Sequence, residues 1–129
     1  MFNEDSGRYS LQGLRILLVE DDPLICLDLE ASLVEFGAIV TSAGSVLAGL
    51  KAMTASTLDF AVLDFEMGAE TSEPIALAAK ARNVPFLYLS GYSEHDERFS
   101  RWPGIQVLVK PLSAEEVARG IEAALSKSG

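Results

Sequence analysis

The chain has 129 residues, 49% of them hydrophobic, which is one domain with enough apolar material for a core and too much for a disordered polypeptide. A total of 19 acids against 10 bases leaves a net charge of −9, which argues against direct nucleic-acid binding, since that depends on neutralising phosphates with Lys and Arg. No apolar run is long enough to cross a bilayer, the acidic start MFNEDSGRYS lacks the basic and apolar regions of a secretory signal, and a lone cysteine, Cys26, suits a reducing cytoplasm.

Residues 1–13 read as a polar leader. Arg15 to Val19 reads as a strand whose last four residues, Ile16 to Val19, are continuously apolar, as in a strand covered on both faces. Asp22-Pro23 then starts a helix, with Asp as N-cap and Pro in the first turn. Leu24, Cys26, Leu27, Leu29, Leu33 and Phe36 supply its apolar stripe, and Gly37 ends it. Ala38 to Ser42 reads as a second strand. Ser45 to Ala55 reads as a second helix that buries Val46, Leu47, Leu50 and Met53. A third strand, Leu58 to Leu63, is followed by a helix over Glu73 to Arg82 and a fourth strand over Pro85 to Leu89. Asp96 to Arg101 reads as a short fourth helix and Ile105 to Val109 as the fifth strand. Ser113 with Glu116 forms a capping box that opens a last helix running to about Leu125. Strict alternation predicts an α/β fold with right-handed crossovers. The expected architecture is a flavodoxin-like (βα)5, doubly wound, parallel five-stranded sheet of order 2-1-3-4-5.

In such sheets ligands bind beyond the carboxyl ends of the strands, where strand order reverses between strands one and three. Strand one runs into Glu20-Asp21-Asp22, and strand three into Asp64. Asp22 alone satisfies the helix cap, which leaves Glu20 and Asp21 for another task. Clustered carboxylates repel one another and call for a cation. Oxygen-only ligands with room for water suit Mg²⁺ better than Zn²⁺. Asp64 follows the wholly apolar Phe60-Ala-Val-Leu63, a costly place for a carboxylate without a partner. Lys110, at the end of strand five and before Pro111 in a peptide that could be cis, is the candidate partner. Ser90 ends strand four and brings a hydroxyl donor to the same edge. His95 lies in a polar loop and reads as solvated; Cys26 and Trp102 read as packing residues.

The segments Ile16-Leu-Leu-Val-Glu-Asp-Asp-Pro23, Val62-Leu-Asp64, Leu89-Ser-Gly91 and Val109-Lys-Pro111 together resemble a response-regulator receiver domain of two-component signalling, over Leu14 to Leu125. The resemblance implies a receiver domain at 14–126, and because the sequence stops just after the last predicted helix, no output domain is expected. Asp64 would be the phospho-acceptor, Ser90 the switch hydroxyl and Lys110 the lysine that pairs with the aspartate or its phosphate. Asp21, Asp64 and the backbone carbonyl of Glu66 would be Mg²⁺ ligands, with Glu20 acting through water. It further implies a cytoplasmic signalling domain that phosphorylates and dephosphorylates itself without turning over an external substrate. Its partners would be a sensor histidine kinase or histidine phosphotransfer protein, and a downstream protein bound through the face of the fourth helix, fifth strand and fifth helix. A phosphorylation-dependent homodimer is a further implied partner. Asp64 to Pro74 and Ser90-Gly-Tyr92 are similar to an alphaproteobacterial-type subset, often partnered with HWE-type kinases. The chain departs from the pattern at Val107, where many receivers carry an aromatic switch residue; Tyr92 is a candidate substitute. A phosphatase of the haloacid-dehalogenase type fits poorly, because its second Asp would stand two residues after a nucleophile on strand one. A pseudo-receiver that binds partners without phosphorylation is the alternative reading.

Overall fold

In a computed structural model, residues 10–128 are described. The elements are β1 (Arg15–Val19), α1 (Pro23–Glu35), β2 (Ile39–Ala43), α2 (Val46–Ala55), β3 (Phe60–Asp64), β4 (Glu66–Met67), β5 (Glu70–Thr71), α3 (Glu73–Ala81), β6 (Phe86–Ser90), a 3₁₀ turn (Glu97–Phe99), β7 (Val107–Val109) and α4 (Ala114–Ser128). Five strands form a parallel sheet in the order β2-β1-β3-β6-β7. With the β4-β5 hairpin set aside, this is the expected order 2-1-3-4-5.

Two apolar cores lie on the two faces of the sheet, because side chains alternate along each strand. On one face Ile16, Leu18, Phe60, Val62, Leu87 and Leu89 meet Leu29 and Leu33 of α1 and Val117, Ala118 and Ile121 of α4. On the other, Leu17, Val19, Ala61, Leu63, Phe86 and Tyr88 meet Val46 and Met53 of α2 and Ile75, Ala76 and Ala79 of α3. The central strand β3 is therefore buried along its whole length, Asp64 included.

Local chemistry sets the element ends. Asp22 accepts from the N–H groups of Leu24 and Ile25 at the start of α1, as its position before Pro23 predicts. Gly37 follows that helix with φ +105°, and a Cβ there would lie 2.8 Å from the Gln12 backbone, so both conformation and space require glycine. At the start of α4, Ser113 Oγ accepts from Glu116 N–H while Glu116 accepts from Ser113 N–H, a reciprocal capping box.

Several expectations need correction. On α1, Leu24 is 77% exposed and Leu27 65%. At about 100° per residue, Leu29, Leu33 and the half-buried Cys26 and Phe36 form one narrow stripe, and Leu24 and Leu27 fall on the opposite side. Leu47 is exposed for the same reason, beside a stripe of Val46, Gly49 and Met53. The fourth α-helix is absent among the described residues. Asp96 caps only the 3₁₀ turn, since Pro103 and the left-handed Gly104 leave too few residues to nucleate an α-helix. The space beside β6 is filled by Phe99 and Trp102, which stack edge-on against Phe65, Phe86 and Tyr88. Strand β7 begins at Val107 and not at Ile105. Residues 66–71, between the predicted third strand and the helix over Glu73 to Arg82, form the hairpin, turning through Gly68 at φ +66°.

The leader assigned to residues 1–13 lies partly outside the described residues. Of its described part, Leu11 is fully buried in the α1/α4 core. Its N–H donates to Phe36 O and Gly13 N–H to Gly37 O, which pins this segment under the end of α1. Leu11→Ala is therefore expected to lower the unfolding free energy by about 2–5 kcal/mol, the ordinary cost of emptying a buried leucine site. Urea denaturation checks it; a change below about 0.5 kcal/mol, the scale of surface substitutions, would return Leu11 to the leader.

Candidate functional site

Three of the candidate residues are delivered by the parallel register. Glu20 follows β1, Asp64 closes β3 and Ser90 closes β6, and all three are buried. Asp64 is 1% exposed and Glu20 2%, whereas Asp21 stands in solvent at the rim. Backbone bonds lock the loops that carry them: Glu20 N–H donates to Ala43 O, Phe65 N–H to Leu89 O and Lys110 N–H to Ser90 O. The Lys110–Pro111 peptide is cis, as the sequence allowed.

Lys110 Nζ lies 2.6 Å from Asp64 Oδ1 and 3.6 Å from Glu20 Oε1. Neither carboxylate oxygen has an aligned hydrogen-bond donor, so both contacts are charge pairs and not directed hydrogen bonds. The other Glu20 oxygen accepts from Asp22 N–H at 3.1 Å. One lysine thus faces two buried carboxylates, a deficit of positive charge. Burial, and secondarily the charge of Glu20, push the Asp64 carboxyl up to about 7 against the downward pull of Lys110. Burial opposes the charge of Lys110 itself, but the close contact with the Asp64 carboxylate and the charges of Glu20 and Glu66 raise its pKa overall.

Oxygens of Glu20, Asp21 and Asp64 come within 4.8 Å of one another. The donor set is hard and all-oxygen, and two of its buried oxygens lack hydrogen-bond donors, so the residues fit a divalent cation such as Mg²⁺. Glu66 is not part of this carboxylate group. Its side chain turns to β6, where it accepts from Ser90 Oγ at 2.8 Å and from Gly91 N–H at 3.2 Å. The receiver resemblance implies a ligand role for the Glu66 backbone carbonyl, and a carboxylate two positions after the acceptor is expected to repel a phosphoryl group or attract the metal; nothing in the residue pattern links positions 66 and 90, which meet because the hairpin folds beside β6.

Tyr92 N–H donates to Ser90 Oγ, and the half-exposed Tyr92 ring carries the Arg98 guanidinium 3.5 Å above its centroid. Val107, at the place of the expected aromatic, is buried and registers opposite Tyr88, whose ring lies in the α2/α3 core. His95 is exposed, in keeping with a solvated role.

No family model and no curated protein matches the sequence. Solved structures do. The response regulator TrrA of Thermotoga maritima, in complex with Mg²⁺-BeF, superposes with a TM-score of 0.74 at 25% identity, over 86% of this chain and 98% of that one. A response regulator receiver protein of Sinorhizobium medicae gives 0.78 at 24% identity, over 91% and 98% of the two chains. The receiver domain of the sensor histidine kinase PA1611 of Pseudomonas aeruginosa, with a magnesium ion coordinated in its active-site cleft, gives 0.75 at 23% identity, over 88% and 98%. The chain carries the flavodoxin-like fold of response-regulator receiver domains.

Proposed function

We propose that the chain is a receiver that accepts a phosphoryl group on Asp64 from the phosphohistidine of a sensor histidine kinase or a histidine phosphotransfer protein. One observation carries the reading: a buried carboxylate at the end of the central strand, 2.6 Å from a lysine and grouped with two further carboxylates. Glu20, Asp21 and Asp64, with the Glu66 backbone carbonyl, are the proposed Mg²⁺ ligands. Bound there, Mg²⁺ would supply positive charge to phosphoryl oxygens.

In the proposed transfer an Asp64 carboxylate oxygen attacks phosphorus. The P–N bond of the donor breaks, its electron pair returns to the imidazole, and an acyl phosphate forms. Lys110 holds the carboxylate in place and offsets charge on the equatorial oxygens. Ser90 supplies a hydroxyl donor from the neighbouring strand. Water attack on phosphorus later releases inorganic phosphate and restores the carboxylate, so no external substrate is turned over. The signal would leave through a downstream protein or a phosphorylation-dependent homodimer. The surface we favour is β7 and α4, together with the 3₁₀ segment before β7 that stands where a fourth helix was expected. The net charge of −9 and the single cysteine support a cytoplasmic module that does not itself bind nucleic acid.

Intact-mass measurement after incubation with Mg²⁺ and a small phosphodonor tests the reading. A single phosphate adduct is expected on the wild type and none on Asp64→Ala. An adduct on both, or on neither in folded protein, would reject Asp64 as acceptor, the latter in favour of a pseudo-receiver.

Mg²⁺ binding is also expected to depend on pH. With its carboxyl raised to about 7, Asp64 is increasingly protonated below that pH, and a cation must displace the proton. Affinity should fall by up to about tenfold per pH unit below pH 7 and level off above 8. Titration calorimetry at pH 6 and pH 8 reads this directly. Equal affinities would mean that Asp64 keeps an ordinary carboxylate acidity.

A further inference from the structure

The Glu66 carboxylate makes contacts that no set of metal ligands requires. Its two oxygens take the Ser90 hydroxyl at 2.8 Å and the Gly91 N–H at 3.2 Å, one donor each. These donors sit at the end of β6, on the strand that registers beside Asp64. Together they form a small anion cradle, and Glu66 fills it.

A phosphoryl group on Asp64 brings oxygens of the same charge and the same acceptor chemistry to this edge of the sheet. A serine hydroxyl has a single proton and donates to one acceptor at a time. The two anions also repel each other. We propose that Glu66 is an internal competitor for Ser90 and Gly91, a latch that occupies their donors until an aspartyl phosphate displaces it. The proposal rests on Asp64 being the acceptor.

The surroundings suit a latch that holds and releases. The β4-β5 hairpin fixes the Glu66 backbone through its pairing with Thr71, and Ser72 N–H donates back to Phe65 O. Ser90 is fully buried, so its hydroxyl proton would be left without an acceptor if Glu66 were absent and nothing replaced it, although its oxygen would still accept from Tyr92 N–H. Glu66 itself is only half-buried and can return to water when it leaves. The exchange replaces one charged acceptor by another at Ser90 and Gly91, so the donors keep partners while Glu66 is released to water. Glu66 is thus a positioning residue: it sets the free-protein position of Ser90 and Gly91 and opposes their movement toward Asp64.

Beryllofluoride binding at saturating Mg²⁺, measured on wild type, Glu66→Ala and Glu66→Gln, tests this, together with hydrogen exchange at the Gly91 amide in the free proteins. Glu66→Ala is expected to bind about tenfold more tightly, the scale of a lost charge-assisted hydrogen bond, and to exchange Gly91 faster. Glu66→Gln, which keeps an acceptor and the shape but not the charge, should show a smaller gain; it also carries the test if the alanine variant folds poorly. Equal gains in the two variants would replace the latch by plain charge repulsion. Unchanged or weaker binding by both variants, with the wild type binding normally, would overturn the latch and leave Asp64 as acceptor. No binding by any of the three proteins would overturn both.

Discussion

Two carboxylates held out of water beside a single lysine form the interaction on which this structure turns. Glu20 and Asp64 are almost wholly buried, and Lys110 cannot balance both. A buried charge without full compensation is expensive and is not a way to stabilise a fold. The arrangement therefore has its explanation in what it can bind. A cation would make up the charge, and in the proposed receiver a phosphoryl group on Asp64 would lie beside Lys110 at the same strand ends.

The sheet exists in the form that makes this juxtaposition unavoidable. Apolar side chains on both faces of β1, β3 and β6 leave these strands no stable place except the middle of a covered parallel sheet. Parallel pairing then sends all their carboxyl ends to one edge. The reversal of strand order between β1 and β3 opens that edge, and the residues beyond it, Glu20, Asp21 and Asp64, face each other because the register leaves no alternative. The polar site is in this sense a product of the apolar core.

Much of this was legible in the sequence because it depends on local signals. Apolar runs marked the strands, Asp22-Pro23 and Ser113 with Glu116 marked helix starts, and the run of strand-terminal carboxylates marked the edge. What escaped depends on contacts between distant segments. Leu24 and Leu27 look like core by composition and are excluded only by the angular position of the stripe that α4 and the sheet cover. The segment after Asp96 has helix-forming residues, yet the aromatic seats for Phe99 and Trp102 and the break at Pro103 decide its path. Trp102 also donates its indole N–H to Glu73, a partner 29 residues away. The same holds for Glu66, whose meeting with Ser90 needs the hairpin, and for Leu11, whose polar neighbours hid a core position.

The contacts around Ser90 also bear on how a change at Asp64 reaches the surface. In the proposed receiver, movement of the Ser90 hydroxyl toward Asp64 would break its bond to Glu66 and strain the one it accepts from Tyr92 N–H. Tyr92 is tied by the Arg98 stack to the 3₁₀ segment, and Arg98 is paired with Asp96, the cap of that turn. With valine at position 107, no aromatic rotation on β7 is available as a relay. The shortest connected route to the outside runs from Glu66 through Ser90 and Tyr92 to the 3₁₀ turn. That segment is itself anchored in the core by Phe99 and Trp102 and by the Trp102 bond to Glu73, so a change passed along this route would act on the exposed side of the turn, where Arg98 and Asp96 lie.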